Sequence, residues 1–205
     1  MAKWWQATQS VEVQAHPWLA PAVIAKLEEI VKPNFKVLEH GCGGSTLWFA
    51  ERCKSVIATD GNADWREQIN ARLDQTKARV FTDLGQLHSE GVTDKFDLIL
   101  IDGEPVTDRA MWIKESVNLV KPGGWIVLDN CNRPEYAAER LWLQEQVESF
   151  ETFNGNEPGT LYLVTEFYKA KKATKDENRQ QPEPKRKSRK LQADNSKRNR
   201  TPSEL

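Results

Sequence analysis

Five polar side chains that close short apolar runs, Glu39, Asp60, Asp102, Asp129 and Asn130, are the groups through which this chain could do chemistry. The first is followed at once by Gly41, Gly43 and Gly44. In Lys36-Val-Leu-Glu-His-Gly-Cys-Gly-Gly-Ser-Thr-Leu-Trp48 the order of residues predicts a strand, a tight turn and a helix opening at Ser45. Glycine there removes Cβ atoms where the backbone bends, so a ligand can lie directly on the main chain. A carboxylate at the mouth of the strand repels a pyrophosphate and suits a cation.

Asp60 follows the apolar run Ser55-Val-Ile-Ala-Thr and precedes Gly61, 19 residues after Gly41. A carboxylate at the end of a second strand can accept hydrogen bonds from both ribose hydroxyls of a nucleoside; the competing reading is a plain Asp-Gly turn. Asp102 ends the continuous apolar run Phe96-Asp-Leu-Ile-Leu-Ile, and Asp129-Asn130 ends Trp125-Ile-Val-Leu. If those two strands are neighbours, Asp102, Asp129 and Asn130 converge at the sheet edge where open α/β sheets bind ligands. Two carboxylates and an amide oxygen are hard donors suited to Mg²⁺, and a capped turn after Asp129 is the rival reading.

The elements that must position these residues alternate. Strands are expected at 36–40, 55–59, 79–82, 96–101 and 124–128, with helices at 17–31, 46–53, 63–73, 108–119 and 134–150, Asp108 capping the fourth and Lys121-Pro-Gly-Gly closing it. Such alternation means an α/β, doubly wound and mostly parallel sheet with helices on both faces. The runs 151–154 and 161–167 are separated by too few residues for a crossover helix, so they are expected to form an antiparallel hairpin that ends a seven-stranded sheet. Trp48, Trp112 and Trp142 fall on apolar helix faces and are expected in the core, whereas Trp4, Trp5 and Trp18 precede the fold and are candidates for a lid.

Over residues 16 to 168 this pattern resembles the class I S-adenosylmethionine-dependent methyltransferases. The resemblance implies that Glu39, His40, Gly41, Cys42, Gly43 and Gly44 receive the methionine part of the cofactor, Asp60 and Gly61 its ribose, and Asp83 with Leu84 its adenine. Asp102 would face both cofactor and acceptor. Asp102, Asp129 and Asn130 resemble the metal site of catechol-type and sugar O-methyltransferases, implying a Mg²⁺ ion and transfer to an oxygen of a small or carbohydrate-like acceptor. The Lys or His that those enzymes place three residues beyond the first metal Asp is Pro105 here. That departure leaves open a cofactor-binding protein without turnover. The nicotinamide or flavin dinucleotide alternative requires a third glycine where Thr46 stands.

Composition sets the outer limits. The chain has 205 residues and a net charge of −1, but residues 169–205 hold 13 Lys and Arg against 5 Asp and Glu, while residues 1–168 hold 16 against 25. The expected organisation is therefore an N-terminal segment 1–15, a methyltransferase body 16–168 and a basic, disordered tail 169–205 that could meet nucleic acid through charge alone. Cys42, Cys53 and Cys131 lack the spacing of a zinc knuckle or disulfide framework, and no run is apolar and long enough for a bilayer, so a cytoplasmic location is expected.

Overall fold

The computed structural model describes residues 13–91, 94–155 and 164–173. The chain divides into two units, Met1–Ala173 and Thr174–Leu205, and every described element belongs to the first. The expected tail lies outside the described residues from position 174 onward, as do Trp4 and Trp5.

Seven strands form one sheet in the order β3-β2-β1-β4-β5-β7-β6. They are β1 (Lys36–His40), β2 (Ser55–Thr59), β3 (Ala78–Phe81), β4 (Phe96–Ile101), β5 (Val120–Leu128), β6 (Ser149–Asn154) and β7 (Val164–Lys169). The first five run parallel, and β7 lies antiparallel between β5 and β6. The expected hairpin is thus present, with its return strand inserted beside β5.

Among the described residues six α-helices flank the sheet: α1 (Pro21–Ile30), α2 (Gly44–Arg52), α3 (Ala63–Asn70), α4 (Leu84–Ser89), α5 (Arg109–Leu119) and α6 (Ala137–Gln146). Side chains alternate across each strand, so one face of the sheet takes Val37, Leu98, Leu100 and Val127 against α1 and α2. The other takes Leu38, Ile99, Ile101 and Leu128 against α4, α5 and α6. Burying each such aliphatic side chain contributes about 2 kcal/mol, which is why β4, apolar on both faces, sits at the centre. Trp48 and Trp112 are buried, and Trp142 packs against the same core, as expected.

Several boundaries differ from the expectation for local reasons. Helix α4, which periodicity did not signal, spans only six residues and is started by the Asp83 carboxylate accepting the Gln86 N–H at 2.8 Å. Asp108 makes no side-chain cap; a 3-10 turn, Val106–Asp108, leads into α5 instead. Lys121-Pro-Gly-Gly lies within β5 as an irregularity where the β4 to β5 register shifts, because a Cβ on Gly124 would meet the Asp97 carbonyl at 2.9 Å. A second 3-10 turn, Pro134–Tyr136, replaces the first turn expected of α6.

Candidate active site

The carboxyl ends of β1, β2 and β4 open onto a cavity of about 810 Å³. Its floor is the loop Gly41–Ser45, one wall holds Asp60, Gly61 and Trp65, and the other holds Asp102, Gly103, Glu104 and Pro105. Val13 and Trp18, from the segment ahead of α1, complete the lining.

Glu39, the penultimate residue of β1, is almost fully buried, with one carboxylate oxygen taking the Ser45 hydroxyl and the other the Thr46 hydroxyl at 2.6 Å. Thr46 Oγ1 in turn accepts the Gly43 N–H at 2.9 Å. The threonine standing where a dinucleotide site requires glycine is therefore the clamp that fixes the carboxylate and the loop together. Burial outweighs these hydrogen bonds and pushes the Glu39 carboxyl up to about 7. Asp60 accepts the Cys42 N–H at 3.2 Å and the Asn62 N–H at 2.9 Å, and burial raises its proton affinity as well.

Two glycines of the loop have different reasons. Gly41 adopts φ +102°, and a Cβ on it would lie 2.9 Å from the Gly103 Cα, so the loops after β1 and β4 pass each other backbone to backbone. At Gly44 a Cβ would meet the backbone carbonyls of Gln14 and His16, the former at 2.6 Å. The chain ahead of α1 crosses over the start of α2 at that point, and Arg72 holds it there through the Val13 carbonyl.

Of the residues singled out from sequence, Glu39, Gly41, Cys42, Gly43, Gly44, Asp60, Gly61 and Asp102 line this one cavity. His40, Asp83, Leu84, Asp129 and Asn130 do not. His40 follows Glu39 on a strand and so points to the opposite face, where its ring stacks on Trp112 at 4.8 Å and its Nδ1 lies 3.1 Å from the Thr59 hydroxyl. Its Nε2 is buried without a partner, and burial lowers the ring to about 3, leaving it neutral. Asp83 is occupied in capping α4, and Leu84 is in the core.

β4 and β5 are adjacent, with Ile101 opposite Leu128, so Asp102 and Asp129 do converge. What lies beside them is Arg109, a fully buried guanidinium that donates to the Gly103 carbonyl at 2.9 Å and the Asp129 carbonyl at 2.7 Å and reaches Asp102 at 3.4 Å. Asp129 Oδ1 accepts the Thr165 hydroxyl at 2.6 Å, and Asn130 Oδ1 accepts Arg133 at 3.1 Å. This donor set does not fit Mg²⁺: a fixed cation, Arg109, already sits against Asp102, while Asp129 Oδ1 and Asn130 Oδ1 are engaged by Thr165 and Arg133. Among the described residues no cluster of three or more His, Cys, Asp or Glu is set to hold a metal ion. Burial, then the neighbouring Asp129 carboxylate, raises Asp102 well above the usual carboxylate range, while Arg109 opposes the shift.

Sequence reasoning missed Arg109 and Trp65. Arg109 was readable as the charged member of a buried stripe with Trp112, Ile113 and Ser116 on α5, at helical spacing. Trp65 enters through the cap of α3: Asn62 accepts its N–H at 3.1 Å, and its indole N–H donates to the Cys42 carbonyl at 2.6 Å across the loop.

Comparison with known proteins agrees with this architecture. Residues 38–131 match the family model of a methyltransferase domain. The ubiquinone biosynthesis O-methyltransferase of Pseudomonas aeruginosa (strain LESB58) is 37% identical over 107 residues, covering 48% of this chain and 45% of that protein. The chain thus spans about half the length of the curated relatives it matches. Among solved structures, the O-methyltransferase from Bacillus cereus in complex with S-adenosylhomocysteine aligns at TM-score 0.62 and 18% identity, over 82% of this chain and 88% of that one. N-methyltransferase NodS from Bradyrhizobium japonicum WM9 aligns at 0.55 and 18%, over 73% and 92%. An rRNA methylase from Streptococcus thermophilus aligns at 0.57 and 15%, over 76% and 100%. These three proteins share a fold while their names differ in acceptor, so fold alone does not choose one. Residues 38–131 thus match a methyltransferase domain, within a body whose Rossmann-like fold is the one these solved methyltransferase structures share.

Proposed function

We propose that the chain transfers the methyl group of S-adenosylmethionine to a hydroxyl oxygen of a small acceptor, without a divalent metal. The observation that carries this reading is the cavity itself: bare glycine backbone and carboxylates, with no cationic side chain among its described lining. Such a wall suits a ligand with a sulfonium and an ammonium and opposes a pyrophosphate. Glu39 and the loop Gly41–Gly44 are assigned to the methionine end, and Asp60 with Gly61 to the ribose. Trp65 borders the same wall.

When bound, the cofactor supplies an electrophilic methyl group on sulfur. Asp102 stands at the end of β4 with its side chain about one third exposed, as a base facing the acceptor must be. With the cofactor bound, Asp102 would take the proton that the acceptor hydroxyl loses on methylation. Arg109 holds the resulting arrangement by fixing both strand ends, and Asp129 acts through Asp102 from behind it. Asn130 is a turn residue at φ 52° that orients Arg133. Of the segment 1–15 expected as a lid, residues 1–12 lie outside the described residues; its described end is assigned to covering the start of α2, supported by the crossing of Gln14 and His16 above Gly44.

Oxygen is preferred as the acceptor atom because a hydroxyl must lose its proton and a proton acceptor is in place. The O-methyltransferase relatives point the same way. Thermal unfolding in the presence of S-adenosylhomocysteine or NAD tests the reading, because a ligand bound only by the native state raises its stability. S-adenosylhomocysteine should stabilise the protein and NAD should not. Asp60→Ala should weaken the first by at least about tenfold, the loss of a hydrogen-bonded charge. Stabilisation by NAD alone would overturn the assignment.

A further inference from the structure

Five carboxylates, Glu39, Asp60, Asp64, Asp102 and Glu104, line the cavity, and no Lys, Arg or His does so among the described residues. Of the undescribed stretches, Val92-Thr93 and 156–163 contain no Lys or Arg, and residues 1–12 contain one, Lys3. The cations nearby stand behind the acids: Arg66 donates to the Asp60 carbonyl at 2.7 Å, Arg109 reaches Asp102, and Arg133 pairs with Glu104 at 3.4 Å. What an entering molecule meets is a lining of acidic side chains with no cationic one among the described residues.

Assigning Glu39 and Asp60 to the cofactor leaves Asp102, Glu104, Pro105 and Trp18 for the acceptor. Trp18 lines the cavity with 67% of its surface exposed, although most large apolar side chains of the body are buried. An indole face in that position can stack a flat ring and attracts a cation held over it.

We propose that the acceptor is a flat, hydroxyl-bearing molecule that is uncharged or carries an ammonium group, held against Trp18 with any positive charge toward Glu104, and that acceptors carrying a carboxylate or phosphate are rejected. This rests on the reading of the same cavity as the methyl-transfer site. The rejection is electrostatic. An anionic group entering beside Asp102 and Glu104 leaves water without gaining a cationic partner from the described lining, whereas an ammonium can be received by the Glu104 carboxylate and by the acceptor oxygens of Asp102.

The test uses the full chain saturated with S-adenosylhomocysteine and three probes that share one diol ring. Catechol, 3,4-dihydroxybenzoate and 3,4-dihydroxyphenethylamine carry a charge of 0, −1 and +1 near neutral pH, and calorimetric affinities are compared at low ionic strength. The amine should bind best and the carboxylate worst, by at least about tenfold, with the spread shrinking as salt is added. Glu104→Gln should narrow the gap between the charged probes, whereas Trp18→Ala should weaken all three alike. Equal or tighter binding of the carboxylate overturns the proposal, as does binding of none of the probes while S-adenosylhomocysteine still binds. Failure of S-adenosylhomocysteine itself to bind overturns the cofactor reading on which the proposal rests, so the two failures are distinguishable.

Discussion

Gly41 and Gly103 pass so closely that a Cβ built on Gly103 would lie 2.7 Å from the Gly41 nitrogen and 2.8 Å from the His40 carbonyl carbon. All the atoms it would meet are backbone, and none can rotate away. The loop that follows β4 is thereby pinned to the glycine loop that follows β1, which fixes Asp102 relative to the cavity floor. Gly103→Ala should separate the two loops, at a cost of about 1–3 kcal/mol as for other overpacked sites. Chemical denaturation and S-adenosylhomocysteine affinity read the two effects, and both should fall together.

Glu39 gives a signed dependence on pH. Its carboxyl is raised from 4.5 to about 7 in the folded protein by burial, so between those values the native state holds a proton that the unfolded chain has released. Stability from this group is therefore lost as pH rises from 4.5 to 7, by about 3 kcal/mol at most for a shift of this size. Glu39→Gln keeps an amide in place and removes the ionisation. Its stability relative to the parent should improve from pH 5 to pH 7 in urea titrations and level off above, while its affinity for a cationic cofactor falls. A difference that stays flat with pH would contradict the buried-carboxyl account.

The sheet was legible in the sequence because its central strands are apolar runs that end in punctuation, and β1, β2 and β4 begin and end where the residues predict. The gathering of Glu39, Gly41, Gly43 and Asp60 at one cavity was legible for the same reason: they sit at strand ends, and strand ends share an edge. Three things were not. The face of a residue next to a recognised motif requires the alternation of the strand to be applied strictly, and doing so would have sent His40 away from the cavity. The purpose of Gly44 is set by Gln14 and His16, which no local pattern connects to it. The metal reading turned on which cation neutralises Asp102, and Arg109 lies seven residues away within an apolar stripe, where charge is read as an exception rather than a partner.

His40 offers the opposite sign. Its ring is held neutral by burial, lowered from 6.5 to about 3, so acidification stabilises the unfolded chain, which can take the proton. The native protein should lose about 2 kcal/mol from this group alone between pH 6.5 and pH 5. His40→Asn lacks the effect, so the stability gap between parent and variant should shrink as pH falls over that interval. Because the ring stacks on Trp112 rather than facing the cavity, S-adenosylhomocysteine should bind the variant within about twofold of the parent, a difference below 0.5 kcal/mol. A larger loss would return His40 to the cofactor site.

Arg109 and the two carboxylates form a buried set whose members cannot be removed singly without consequence. Arg109→Met strips donors from the Gly103 and Asp129 carbonyls and leaves Asp102 and Asp129 facing each other with no cation between strand ends. Breaking such a buried arrangement costs about 3–5 kcal/mol. Much of that cost is repulsion, so a second change, Asp102→Asn, should recover at least about 1 kcal/mol in the Arg109→Met background and little or none in the parent. Denaturation of the four proteins of this cycle measures the coupling. Independent, additive losses would mean that Arg109 supports the loops only through the two carbonyls, and the pairing with Asp102 would then have no energetic content. Coupling of the expected sign would leave Asp102 as the group whose proton affinity Arg109 restrains, and methyl transfer should then survive at lower pH in the parent than in Arg109→Lys, whose ammonium lacks the forked donors that reach both strand ends at once.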